Sequence, residues 1–379
     1  MNLKKPLVFT IFALALTIVL ATSVPTTRAA ATLVVDDDLA CPGATFSTIQ
    51  SAAAVALPGD TIQVCAGTYI EDVAIISPGV SLLGAGAGVT TISGAIGGDG
   101  ATVRVAASNV TVAGFTITRE GNNTTDWNNP GLNSVGLAVQ GQAITGMLVR
   151  DNVITGNRTG IDINHSNGHT VRNNSITDNR TGMILRNQTD NLTVTENFIT
   201  NNWTVGVLFL DASVGTNVPL QQALNSNFNN NDLSGNWYGQ VVDRQTGGSL
   251  PAPGTTNTKD FTGNWWGTTT PVVTTANSAE PGYAAQIPVA YGGTATAPGG
   301  PPDIAGAASA NIIYLPLLKS GTDTNVETTP GRGTNGFQGV KTAANKGQCQ
   351  GGGWLLVVNG SGNPFKNQGQ CIQYVNTGK

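Results

Sequence analysis

Apolar and polar positions alternate along this chain in short runs, and between Ala143 and Thr204 the runs repeat. Asn152-Val153-Ile154-Thr155 returns as Asn174-Ser175-Ile176-Thr177 and again as Asn197-Phe198-Ile199-Thr200, at spacings of 22 and 23 residues. A second register runs beside the first: Asn157-Arg158-Thr159-Gly160, Asn179-Arg180-Thr181-Gly182, then Asn202-Trp203-Thr204 with Gly206 one position late. Each unit holds two short alternating runs, such as Ile161 to Ile163 and Thr170 to Ile176. A fixed short period with strands and no helical face is the mark of a solenoid, whose units bury their apolar faces only by stacking.

A leucine-rich frame is missing, and β-branched residues alternate instead with Asn, Thr and Gly. The pattern therefore predicts an all-β fold, a right-handed parallel β-helix. Val149, Val171 and Val194 should form one interior column, and Ile154, Ile176 and Ile199 another. Asn152, Asn174 and Asn197 should stack as a ladder at a bend, amide on amide. Asn and Gly suit such bends because they tolerate left-handed backbone.

Upstream, Thr48 to Ala56 is the one convincing helix. Ser47 or Thr48 can cap it, Ile49, Ala52, Ala53 and Ala56 line one face, and Pro58-Gly59 stops it. Short strands separated by Pro or Gly follow. Phe46-Ser47-Thr48-Ile49-Gln50-Ser51-Ala52, Pro58-Gly59-Asp60-Thr61-Ile62, Ala66-Gly67-Thr68-Tyr69 and Ser81-Leu82-Leu83-Gly84 together resemble the opening of the pectin-lyase-like right-handed β-helix superfamily. The resemblance covers roughly residues 33–290. It implies that the helix is an N-terminal cap over the open end of the solenoid, where unpaired strand edges would otherwise meet water. Asn264-Trp265-Trp266-Gly267 resembles the closing turn of such proteins, with the two Trp covering the last rung. The same opening precedes esterases, lyases, epimerases and proteins of no known activity, so it carries the fold and not the chemistry.

The chain has 379 residues, of which 11% are charged, with a net charge of −4. Long helices are not expected, and the charge speaks against a nucleic-acid surface. Residues 1–31 read as a signal peptide. Lys4 and Lys5 precede an apolar core from Leu7 to Leu20, with a small-residue cleavage site at Thr27-Arg28-Ala29 or at Ala29-Ala30-Ala31. No later stretch looks long and apolar enough to span a membrane. A secreted or cell-surface monomer is expected. The solenoid should run over 32–291, a Gly/Pro/Ala-rich linker over 292–330, and a small disulfide-closed module over 331–379. Within the linker, Ile312-Ile313-Tyr314-Leu315-Pro316-Leu317-Leu318 should pack as an added strand, with an envelope-attachment signal as the alternative. The tail is similar to a short Cys-paired tail at the ends of assorted secreted bacterial proteins, a likeness that implies no function. Four cysteines allow three connectivities. Local pairing, Cys41 with Cys65 and Cys349 with Cys371, follows from the two pairs sitting in separate modules.

Function in a solenoid sits on inserted loops. Measured against the repeat, Arg119 to Val135 is one insertion, with Arg119, Glu120, Asp126 and Trp127 as candidate contacts. Asp211 to Ala223 and Arg244 to Thr256 are two more, leaving one corner on consecutive turns. Beneath that corner His165, Arg186, Asp211, Asp243 and Arg244 form the candidate binding or active cluster. Such a set could take an anionic sugar through Arg, hold Ca²⁺ through Asp, or work as acid and base. A self-neutralising solvated ladder is the plain alternative. Asp36-Asp37-Asp38 could also bind calcium, but without regular carboxylate spacing it reads as a solvated turn.

The catalytic patterns of the resembled enzymes are missing: the methylesterase Gln-Asp-Thr type, the lyase Arg-x-Pro-x-x-Arg, and the paired-Asp signature of polygalacturonases. Ile161-Asp162-Ile163-Asn164-His165 is similar to a lyase pattern but lacks its Trp and its spacing. The repeats also resemble periplasmic β-helix proteins linked to copper delivery. Two His and three Met leave little for such a metal, and no cofactor is expected beyond a possible Ca²⁺. The sequence thus predicts a protein that binds a polysaccharide or cell-surface glycan, with no nucleic-acid partner. The alternatives are a lyase or hydrolase on acidic polysaccharide, and a structural or adhesive surface protein.

Overall fold

The computed structural model describes residues 28–95, 100–120, 135–210, 221–243, 257–275, 302–306, 308–324 and most of 336–379. Nearly every strand belongs to one of three parallel sheets, of ten, eight and six strands. One central turn shows the path. Leu148–Arg150 lies in the ten-stranded sheet, Val153–Thr155 in the six-stranded and Thr159–Asn164 in the eight-stranded. The chain then returns to the ten-stranded sheet at Thr170–Arg172, beside where it began. This is a right-handed parallel β-helix.

The interior is built from identical residues stacked on each other. Val149 pairs with Val171 and Val171 with Val194, while Ile154 pairs with Ile176 and Ile176 with Ile199. All six are buried. β-branched side chains suit this because their stiff rotamers repeat from rung to rung, about 4.8 Å apart. Two buried asparagine ladders frame the sheets. Asn152, Asn174, Asn197, Asn231 and Asn264 form one, each Nδ2 donating to the next Oδ1 at 3.0–3.1 Å. Asn157, Asn179, Asn202 and Asn236 form the second.

The helix is Ile49–Val55, capped by Thr48, whose side chain accepts from Ser51 N. Its buried Ile49, Ala52 and Ala53 join the core beside the first-turn strands Thr32–Val35, Thr61–Val64 and Val73–Ile75. At the other end the solenoid does not stop at residue 291. Ile304–Ala305 pairs with Val241 and Val242, and Ile312–Ile313 pairs with Lys259 and Asp260. Trp266 is therefore an interior residue, packed between Phe261 and Tyr314 at 6.1 and 6.2 Å between rings. Ile312–Ile313 falls in the run expected to add a strand, whereas the two-residue Ile304–Ala305 was hidden by the linker-like composition around it.

Both disulfides are local, Cys41–Cys65 and Cys349–Cys371. In the tail, Cys349 and Cys371 pack with Ala343, Val357 and Phe365 in a small core of their own, closed by the helix Gln368–Thr377. Two disulfides place the chain in an oxidising, extracytoplasmic setting. No described helix is long and apolar enough to cross a membrane.

Candidate functional site

The outward face of the eight-stranded sheet is read from the register. One column runs Arg104, Ala138, Asp162, Ile184, Leu208, Val242, Ala305, one residue per turn. Beside it lie Gln140, Asn164, Arg186 and Leu210. The early turns are thus polar and charged, while the later ones are apolar. There Val205, Leu208, Tyr238, Val242 and Ala305 cluster with Ile184, Leu210 and Trp237.

A groove of about 470 Å³ opens over the charged half, lined among others by Arg104, Ala138, Gln140, Asp162 and Arg186. Arg186 reaches back one turn to Asp162: Nε donates to Oδ1 at 3.0 Å and Nη2 to Oδ2 in a second, parallel bond. Asp162 is 3% exposed, and burial pushes its carboxyl above the ordinary range even though Arg186 pulls the other way. Arg104 is exposed. Two guanidiniums against one carboxylate leave this groove a net positive charge, on a protein that is negative overall.

The residues singled out from sequence fall in different places. His165 and Arg186 are neighbours, His165 N donating to the Arg186 carbonyl at 3.0 Å. The His165 ring has a buried Nε2 with no hydrogen-bond partner. Asp243 does not join them. It aligns with Phe209, not with residue 211, and therefore points inward. Its carboxylate meets Lys259 Nζ at 2.7 Å, and both side chains are fully buried. Arg119 ends the strand Thr116–Arg119 and is buried, donating from Nη2 to the Ala95 carbonyl. Glu120 accepts from Ser93 Oγ at 2.8 Å. Asp126, Trp127, Asp211 and Arg244 lie outside the described residues.

Asp162, Arg104 and Gln140 were not legible as a site. A lone polar residue inside Ile161-Asp162-Ile163 signals an outward position, but its partner Arg186 is 24 residues away, two positions beyond a whole turn. Only the register brings them together.

The fold defines a right-handed parallel β-helix protein. Residues 85–270 match the family model described as periplasmic copper-binding protein (NosD). A comparison with curated proteins finds no match. Among solved structures, the pectin methylesterase from Yersinia enterocolitica is 15% identical, covers 58% of this chain and 78% of its own, and superposes with a TM-score of 0.40. An alginate lyase from Paenibacillus sp. str. FPU-7 is 16% identical over 66% of this chain and 89% of its own, with a TM-score of 0.32.

The donor set does not suit copper. Copper sites draw on His, Cys thiolate and Met. Here all four cysteines are in disulfides, and Met147 and Met183 are buried in the core. His169 is buried with both ring nitrogens engaged: Nδ1 accepts from Met147 N at 3.2 Å and Nε2 lies 2.8 Å from Ser166 Oγ. His165 alone keeps an open ring nitrogen. Among the described residues, Asp36, Asp37 and Asp38 gather carboxylate oxygens within 4.8 Å of one another. Those carboxylates already accept from the backbone of Cys41, Thr68 and Ala40.

Proposed function

We propose that this is an exported β-helix protein that binds an anionic polysaccharide or cell-surface glycan in the groove on the eight-stranded sheet. The observation that carries the reading is the Arg104–Asp162–Arg186 arrangement on the floor of an open groove of about 470 Å³. A groove of that size accommodates a few sugar units. Arg186 is held by Asp162 with one edge of its guanidinium, and both Arg186 and Arg104 line the groove. Planar guanidiniums recognise carboxylates through paired bonds. In the apolar stretch beyond, the half-buried Trp237 offers a ring on which a sugar can stack.

The test is retention of the purified protein on acidic and neutral polysaccharides in affinity gels. The expected result is retardation on an acidic polymer, weakened by Arg104→Ala and by Arg186→Ala and by added salt. Equal mobility on every polymer sinks the reading and leaves a structural or adhesive role in front.

One observation favours an enzyme as a second reading. Asp162 is a buried carboxyl with a raised pKa beside Arg186, on the floor of a groove that Arg104 also lines, a setting for a general acid acting on acidic sugars. Unsaturated product or new reducing ends, lost in Asp162→Asn, would establish a lyase or hydrolase. Asp243 is unsuitable for this purpose, because its loss disturbs the interior.

A further inference from the structure

Asp60 stands at the start of the solenoid with its carboxylate 1% exposed. It accepts from the backbone N–H of Ala31 at 2.8 Å and of Leu57 at 3.0 Å. Its counter-ion is Arg28, at 2.7 and 3.2 Å. The Ala31 carbonyl in turn accepts from Thr61 N at 2.9 Å, which extends the pairing of Thr32–Val35 with Thr61–Val64 by one bond.

Arg28 precedes or spans both of the cleavage positions that the sequence allows, so processing at either one removes it. A buried carboxylate stripped of its cation is costly. Cleavage after Ala31 would remove Arg28 and both Ala31 bonds at once. Cleavage after Ala29 keeps both bonds and creates a new cation one residue from an N–H already on Asp60.

We propose that Asp60 is the receptor for the mature amino terminus: the leader is cut between Ala29 and Ala30, and the new α-ammonium of Ala30 replaces the Arg28 guanidinium. The inference rests on the export reading above. A leader peptidase hydrolyses the Ala29–Ala30 bond with one water, leaving a carboxylate on the leader and the ammonium on Ala30. The swap leaves Asp60 paired once Arg28 is gone and fixes the edge strand of the ten-stranded sheet in the mature protein.

The test is the intact mass of the full chain after expression in a secreting bacterial host. The expected product begins at Ala30. A product beginning at Thr32, or one that retains Arg28, overturns the proposal. An uncut chain overturns the export reading itself, a separate outcome. In a second arm, mature protein beginning at Ala30 is compared with its Nα-acetylated form. Acetylation should lower Tm in the wild type and leave Tm unchanged in Asp60→Asn. Equal Tm for the two wild-type forms sinks the anchoring role wherever the cut falls.

Discussion

At the scale of single residues, the bends divide their work between neighbours. The left-handed residue at the first bend is the one before each ladder asparagine: Asp151, Asn173, Glu196, Asn230 and Gly263, all at positive φ. The ladder asparagines keep ordinary backbone and supply hydrogen bonds. Asn174 shows how many. Its Oδ1 accepts from Asn152 N and Nδ2, and its Nδ2 donates to Val149 O, Arg172 O and Asn197 Oδ1. Asn174→Ala strands two buried donors of Asn152. At ~1–3 kcal/mol for each unsatisfied group, a loss of about 3 kcal/mol or more is expected in urea unfolding. His169 gives a pH dependence. Burial depresses its pKa to about 4, against about 6.5 unfolded. The unfolded chain therefore binds the extra proton between those values. Stability from this residue is complete above about pH 6.5 and falls as the pH drops toward 4, by on the order of 3 kcal/mol. His169→Gln should flatten that part of the wild-type stability profile, measured by urea unfolding across the range.

At the scale of elements, the helix Ile49–Val55 depends on the strand region after it. It has no acidic residue in its own first turn. Glu71 supplies one from outside: Oε1 accepts from Ile49 N at 2.7 Å and Oε2 from Gln50 N at 2.8 Å. Such a carboxylate satisfies two of the orphan donors at a helix start and complements the dipole. Glu71→Ala should cost about 2 kcal/mol and speed amide exchange across residues 52–56 before the central turns are affected. Unchanged exchange in the helix would show that packing of Ile49, Ala52 and Ala53 holds it alone. The tail is tethered in a comparable way. Phe337 is fully buried against Phe198, with its N–H on the Glu196 carbonyl at 2.9 Å, so the chain beyond the last rung returns to the side of the solenoid.

At the scale of the whole molecule, the late turns carry a buried ion pair in the interior. Lys259 Nζ sits 2.7 Å from Asp243 and 4.7 Å from the centre of the Phe209 ring, with Phe228 and Phe261 stacked nearby at 4.5 Å. Breaking such a pair leaves one charge buried, whereas removing both replaces it with apolar contact. Lys259→Met alone should cost about 3–5 kcal/mol, and the double variant Lys259→Met with Asp243→Leu distinctly less. A double variant as unstable as the sum of the singles would refute the coupling, measured as a double-mutant cycle.

The repeat by itself determined the solenoid, its stacked valine and isoleucine columns and the first asparagine ladder. Each of these follows from a spacing close to one turn, so counting along the chain places the partners. The local disulfides followed instead from the two cysteine pairs lying in separate stretches of the chain. The sequence also singled out Arg186 and Asp243 as members of a charged corner beneath the inserted loops. Their directions were decided elsewhere. In a strand, a shift of one position moves a side chain to the other face. The long insertions blur the count by that much. Asp243 therefore turns into the core toward Lys259, while Arg186 stays outside and finds Asp162 across one rung. The apolar run at Ile312 marked an added strand in the sequence, but the two-residue strand Ile304–Ala305 is too short to show a period, and it exists because the edge of the preceding turn accepts it. Periodicity fixes which residues stack. Only the closed tertiary register decides which way a charge points, and hence where a groove is formed.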